Sequence, residues 1–271
     1  MELELLGTGT SHGIPVISCT CDVCASVDSR DKRLRASALI RLDNGMTILI
    51  DSGPEFRIQA LRAGLSRLDT VLFTHSHADH THGLDDVRIF THTRDMPIYA
   101  EQRCAQEIRE RFAYIFHRTQ EGGGKPHIKL ISIEAESAAH GEANAYYPPP
   151  IDIGGMQIIP IPAMHGSIPV LGWRIGDTAY LTDCSAIPEA SLDRLKGLTN
   201  LVIGALRERP HSTHFSFSQA VSIIHRIGPQ HAWFTHICHD FSHQGIIDWL
   251  DTNHPGKKIE PAYDGLRITI R

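Results

Sequence analysis

An apolar run, Val71-Leu72-Phe73, leads through Thr74 into His75-Ser76-His77-Ala78-Asp79-His80. The run reads as a short buried strand. Imidazole and carboxylate are donors that suit zinc, manganese and iron. His75 and His77 are two apart, so on an extended loop their rings can point the same way. Asp79 and His80 are neighbours at a predicted helix start and aim elsewhere. One ion cannot easily take all four donors; two adjacent ions can. Two cations roughly 3.5–4 Å apart share a water and lower its pKa toward ~7, which is hydrolytic chemistry.

Further donors stand at the ends of other apolar runs. His165 follows Ile159-Pro160-Ile161-Pro162, and Asp183 follows Tyr180-Leu181-Thr182. His211 and His214 precede a helical pattern, and His236 follows Trp233-Phe234-Thr235. Asp51, after Met46 to Ile50, also reads as a helix N-cap for the segment from Pro54. His82 lies outside these patterns and reads as a supporting or surface residue. Cys19, Cys21 and Cys24 put three thiols in one compact loop. A closed tetrahedral zinc site needs a fourth ligand from elsewhere. Cys238 and His239 are the candidates, and Cys238 tends to share the side taken by His236 if the backbone is extended.

His75-Ser76-His77-Ala78-Asp79-His80 resembles the HxHxDH signature of the metallo-β-lactamase superfamily. The glycine-rich opening around Gly7-Thr8-Gly9 and the Cys19, Cys21, Cys24, His239 set are similar to its PhnP-like branch of phosphoribosyl cyclic phosphodiesterases. The resemblance spans nearly the whole chain and implies a four-layer αββα sandwich. It implies that His75, His77 and His165 hold one divalent metal and that Asp79, His80 and His236 hold a second. Asp183 would bridge the two, and Asp51 would support a ligand from behind. The metals would be zinc or manganese, with iron kept open. His214 would be the general acid, and the cysteine cluster with His239 would hold a structural zinc. The implied activity is hydrolysis of a small phosphodiester, cyclic ones included, through a metal-bridging hydroxide. Alternatives are a tRNA 3′-processing nuclease, a lactamase or thioester hydrolase on the same fold, and a non-catalytic metal-binding scaffold. No long basic arm for gripping tRNA is visible, and no ligand of the scheme is missing.

Composition narrows the partners. The 271 residues carry a formal net charge of −5 and 18 histidines. That gives no basic excess for a nucleic-acid backbone, and no apolar run approaches a membrane span. The partner expected is therefore a small phosphodiester rather than nucleic acid or membrane, with a homodimer left open. The short acidic N-terminus is not a signal peptide, and six scattered or clustered cysteines suit a cytoplasmic metalloprotein better than a disulfide framework.

The elements that position these residues read as one domain over residues 1–271. Strands are predicted over 1–6, 35–42, 46–50, 96–100, 128–133, 157–162, 173–175, 179–182 and 201–204, with a hairpin turn at Asp43-Asn44-Gly45. Helices are predicted over 54–63, 101–112 and 218–227. Gly7 to Gly13 reads as a tight turn near the active site, since no βαβ unit follows it. The aromatic and glycine-rich stretch after Phe112 reads as a binding loop or a surface excursion, with Tyr114, Phe116 and His117 as wall residues in the first case.

Overall fold

The computed structural model describes residues 1–92, 94–117, 124–134 and 147–271. Its strands form two seven-stranded sheets. In spatial order the first sheet is β14 (Arg267–Thr269), β1 (Glu2–Gly7), β2 (Ser37–Arg41), β3 (Thr47–Ile50), β4 (Thr70–Leu72), β5 (Met96–Glu101) and β6 (Ile128–Ile133). The second is β13 (Ile259–Pro261), β12 (His231–Thr235), β11 (Asn200–Gly204), β10 (Thr178–Leu181), β9 (Ile168–Ile175), β8 (Met156–His165) and β7 (Ile151–Ile153).

Alternation along the strands sets the layers. Ala38, Ile40, Ile48 and Ile50 of the first sheet pack with Leu171, Trp173 and Tyr180 of the second. Leu39 and Leu49 turn the other way, against Phe56 of α2 (Phe56–Arg62) and Ala105 and Ile108 of α4 (Gln102–Arg111). On the far side, Leu181, Leu201 and Ile203 meet Phe217, Ala220 and Ile224 of α7 (Phe217–Ile227) and Ile246 and Leu250 of α8 (His243–Asn253). The result is helix, sheet, sheet, helix, each apolar face buried against another. Short helices α1 (Asp22–Ala25), α3 (Ala78–Thr81), α5 (Ala113–Phe116) and α6 (Glu189–Arg194) complete the set. No described helix is long and apolar enough to cross a membrane.

Local chemistry explains the boundaries. The hairpin closes at Gly45, whose φ is +81°, and α2 ends at Gly64, φ +60°. The side chain of Ser216 accepts from Gln219 N and Gln219 returns the bond, so α7 starts on a capping box. The strand predicted over 157–162 runs on to His165, which therefore closes β8 instead of following it. Its prolines are tolerated because β7 pairs only with Met156 to Ile158, so among the described residues Pro160 and Pro162 have no strand neighbour on that side. The strand predicted from Trp173 begins earlier, at Ile168. Glu55, not Asp51, occupies the N-cap position of α2.

Strand direction gathers the functional ends. β3 and β4 are parallel, and β10, β11 and β12 are parallel. β9 is antiparallel to both β8 and β10, so β8 runs with β10. The carboxyl ends of β3, β4, β8, β10 and β12 carry Asp51, His75, His165, Asp183 and His236 at or just beyond them. Such ends are where open α/β sheets place ligands.

Candidate metal centre

The site begins with backbone strain. Among the described residues, positive φ outside glycine occurs at Ser18, Asp51, Asp183 and His236. Three of these four bear site side chains, at φ 61°, 48° and 55°. A left-handed residue with a Cβ costs about 1–2 kcal/mol, and it persists where its surroundings fix it. Here the strained residue lies one or two positions beyond a strand end and turns its side chain over the crevice. A second device is the close approach of two turns. Ser52 N donates to His80 O and Gly83 N donates to Ser52 O, both at 2.8 Å. A Cβ on Gly53 would lie 2.2 Å from Asp79 O, and one on Gly83 would lie 2.1 Å from Gly53 O. Glycine alone lets the Asp51 turn lock onto the Asp79–His80 turn.

The crevice brings the predicted donors together in two groups. His75, His77 and His165 form one, and Asp79, His80, Asp183 and His236 form the other. Within each, one donor atom per residue lies within 4.8 Å of the rest. Asp183 stands between them. Its Oδ1 is 3.3 Å from His80 Nε2, while its Oδ2 is 3.1 Å from His236 Nε2 and 3.9 Å from His75 Nε2. His214 Nδ1 is 4.0 Å from the same Oδ2.

Three of the imidazoles, those of His75, His80 and His165, are turned by a bond to the other nitrogen. Asp51, wholly buried, accepts from His80 Nδ1 at 2.7 Å. It also accepts from Thr74 N and Thr74 Oγ1, both at 2.8 Å. Since the Thr74 hydroxyl proton goes to Asp51, Thr74 Oγ1 accepts from His75 Nδ1 at 3.0 Å. One carboxylate thus orients an imidazole of each donor group, one directly and one through a hydroxyl. His165 Nδ1 donates to Thr213 O at 2.7 Å. The Nε2 atoms of His75, His80 and His236 are left buried with no hydrogen-bond partner. Buried polar atoms are rarely left so, and a cation is what unprotonated nitrogens beside carboxylates fit. The residues present therefore suit two divalent ions.

The electrostatics agree. Burial opposes charge on Asp183, but the charges of His236 and His80 hold its carboxyl well below the usual range. Burial likewise opposes charge on His236, and Asp183 with Asp79 raises it to about 9. His80 is raised well above the ordinary value against burial, by Asp183, Asp79 and Asp51. Buried carboxylates here demand positive charge, which protons on His80 and His236 supply and metal ions would supply in their place. His214 is pushed down to about 3, by burial first and then by His236, and is neutral near pH 7.

A separate cluster ties the chain's ends together. His239 Nδ1 lies 3.4 Å from each of the Sγ atoms of Cys19, Cys21 and Cys24. Zinc–sulfur and zinc–nitrogen bonds of ~2.3 and ~2.1 Å at tetrahedral angles put S and N about 3.6 Å apart, so the set fits a closed zinc site. The Cys24 backbone, partly opposed by burial, helps lower Cys21 to about 6, toward a thiolate. Cys238 is buried outside this cluster, and its thiol is pushed up to about 12.

Other predicted residues fall elsewhere. His82 is exposed, its ring edge-on to Phe112. Tyr114 donates to Asp85, and Phe116 lies under the Arg109 guanidinium. Among the described residues neither joins the donor groups. Much of the predicted loop after Phe112, residues 118–123 and 135–146, lies outside the described residues. The glycine-rich opening is a turn. Gly9 bridges to Ile237 and Thr10 N donates to Ile237 O, beside His236. Thr74 and the Thr213 carbonyl escape sequence reasoning; a threonine directly before the first histidine was the one available signal.

Comparison with known proteins places this site in context. The sequence model of a beta-lactamase superfamily domain matches residues 46–237. An octanoyltransferase of Porphyromonas gingivalis is 39% identical over 272 residues, covering 100% of this chain and 52% of that protein. The chain thus spans about half the length of that relative. The crystal structure of a new diphosphatase from the PhnP family superposes with a TM-score of 0.84 at 38% identity, over 98% of this chain and 96% of that one. Zinc-bound PqqB from Methylobacterium extorquens shares the fold, with a TM-score of 0.78 at 15% identity over 100% of both chains.

Proposed function

Because this chain belongs to the metallo-β-lactamase superfamily, in its PhnP-like branch, we propose that it is a two-metal hydrolase that cleaves a P–O bond in a small phosphodiester or diphosphate. The observation that carries this reading is Asp183 between two donor groups, with one oxygen toward His80 and the other toward His236 and His75. His75, His77 and His165 would hold one ion, Asp79, His80 and His236 the other, and Asp183 both. Zinc or manganese bound there would supply positive charge to the phosphoryl oxygens and an acidified water as nucleophile. The protein's own groups do the rest. Asp51 and Thr74 keep His80 and His75 in the tautomer that leaves Nε2 free. His214, 4.5 Å from His165 and 4.8 Å from His236 between ring centroids, stands where a leaving oxygen takes its proton. An anionic substrate against the ring would raise its basicity.

A small, doubly or singly charged substrate also accords with the diphosphatase named among the structural relatives. Acyl transfer, the activity named for the longer relative, would call for a reactive thiol or similar nucleophile at the site. The thiols near the donors are unsuited to it: Cys184 and Cys104 are buried, and burial raises both well above the ordinary range. The test is turnover of bis-p-nitrophenyl phosphate by zinc- and manganese-loaded protein, beside Asp183→Ala. The wild type should bind two ions at the site and turn over, and the variant should lose both metal and activity. Unchanged metal content and turnover in Asp183→Ala would remove the bridging role.

A further inference from the structure

On extended backbone, alternate side chains face opposite ways, so Ser76 between His75 and His77 turns from the crevice toward α4. Ser76 is buried. Its hydroxyl donates to Glu107 Oε2, and its carbonyl accepts from Arg111 Nη1. Glu107 and Arg111 are four apart, so one face of α4 presents both. The helix holds them firmly. Glu101 caps it, accepting from Arg103 N and Cys104 N, while Cys104, Ala105 and Ile108 are buried. Glu107 is itself fixed, since its other oxygen accepts from Arg103 Nε at 2.9 Å. Hydrogen bonds with a charged partner are about twice as strong as neutral ones.

His77 is the ligand that needs this brace. The rings of His75, His80 and His165 are each held through Nδ1. Among the described residues, His77 hydrogen-bonds only through its backbone. Its carbonyl accepts from His80 N at 3.1 Å and from Thr81 Oγ1 at 3.0 Å. Arg111 Nη1 lies 3.4 Å from that same Thr81 Oγ1. The residues on either side are gripped by the Asp51 turn. Asp51 accepts from Thr74 N and from His80 Nδ1, and Ser52 N donates to His80 O. Ser76 thus anchors a stretch of the loop that the Asp51 turn does not hold and α4 does.

We propose that Glu107 and Arg111 are positioning residues for His77. Through Ser76 they set where its ring stands beside His75 and His165, and so how tightly that group binds its ion. The inference rests on the two-metal reading above and adds that α4 tunes one ion and leaves the other to the Asp51 turn. Neither residue is a ligand, and neither takes part in bond cleavage.

The experiment competes zinc-loaded protein against a chelator and reads the histidine ring signals by nuclear magnetic resonance before and after zinc is removed. Glu107→Ala and Arg111→Met should each weaken one active-site binding step about 10-fold, the low end for loss of an outer bond, and leave the other within about 2-fold. The His77 ring signals should move in both variants even without zinc, and those of His236 should not. Glu107→Gln keeps an acceptor for Ser76 and should recover most of the affinity. Ser76→Ala should match Glu107→Ala, and the double variant should lose little more than either, since both changes remove one bond. Equal weakening of both steps, unmoved His77 signals, or no change in affinity would overturn the inference. If the wild type binds no zinc beyond that held by the cysteine cluster, the two-metal reading fails by itself. The brace is then judged on the zinc-free signals. His77 shifts in Glu107→Ala that Glu107→Gln reverses support it, and unmoved signals refute it.

Discussion

Asp51→Asn is the sharpest probe of the centre, because Asp51 serves both donor groups and touches no substrate. Its carboxylate meets three donors: Thr74 N on Oδ1, and Thr74 Oγ1 and His80 Nδ1 on Oδ2. Asparagine has the same shape but only one accepting atom. If its oxygen faces Thr74 N, its amide faces His80 Nδ1, which must then accept. The His80 proton moves to Nε2, the atom needed for a metal. If the oxygen faces His80 instead, the amide meets the Thr74 backbone N–H, and a buried donor loses its bond at about 1–3 kcal/mol. Either orientation weakens the centre. Loss of such an outer bond lowers metal affinity by about 10–100-fold, which is about 1.4–2.7 kcal/mol. The assay is competition of zinc-loaded protein against a chelator, with melting temperature measured with and without metal. The apo protein should keep its fold, the metal-bound form should lose affinity, and saturating metal should restore most turnover. Thr74→Val keeps the His80 bond and removes only the relay to His75. It should loosen one binding step of two. Affinities within 2-fold of wild type for Asp51→Asn would refute the argument that this carboxylate fixes the ligating tautomers.

His214→Ala should keep both ions and slow an alkyl phosphodiester by about 10²–10⁴-fold, while a p-nitrophenyl ester, which leaves unprotonated, slows far less. Equal losses in paired kcat measurements would make His214 a binding or structural residue. Cys21→Ser and His239→Ala should each lose one zinc per chain and melt at least ~4 °C lower, since bound zinc contributes folding free energy; full zinc content and wild-type melting in both would leave only free thiols. His243 accepts from Arg33 Nη2 at 3.3 Å and is held at about 4 against an ordinary 6.5, by burial and then Arg33. The unfolded chain takes up the proton first as pH falls, so this contribution is complete above pH ~6.5 and fades toward pH ~4, by up to ~3 kcal/mol. Urea unfolding of His243→Gln between these pH values should show a shallower slope than wild type, and parallel slopes would count against it.

Much of the fold was legible because its strands alternate and its turns carry strong signals. The hairpin at Asp43-Asn44-Gly45 and the helix after Ser216 are cases where local chemistry decides the structure. The elements that escaped are those that context decides. α8 contains Gly245 and carries Gln244 and Asp248 on an exposed face, and it lies on β13, which is three residues long. The strand predicted over 157–162 runs on to His165, past two prolines that the short β7 leaves unpaired on one side. No local pattern could show that.

The site divides along the same line. His75, His77, Asp79 and His80 were legible as donors from spacing alone, since four such groups after a buried strand have little other use. His165, Asp183 and His236 are each one donor beyond an apolar run, and what joined them in advance was resemblance, not spacing. The structure adds the reason they can meet. Two parallel sets of strands point their carboxyl ends at one crevice, and left-handed residues there bend Asp183 and His236 inward. That strain carries a free-energy cost, and the orphaned Nε2 atoms add another. On the two-metal reading proposed above, bound ions would satisfy those nitrogens in place of protons, so affinity for the ions and stability of the crevice would be linked.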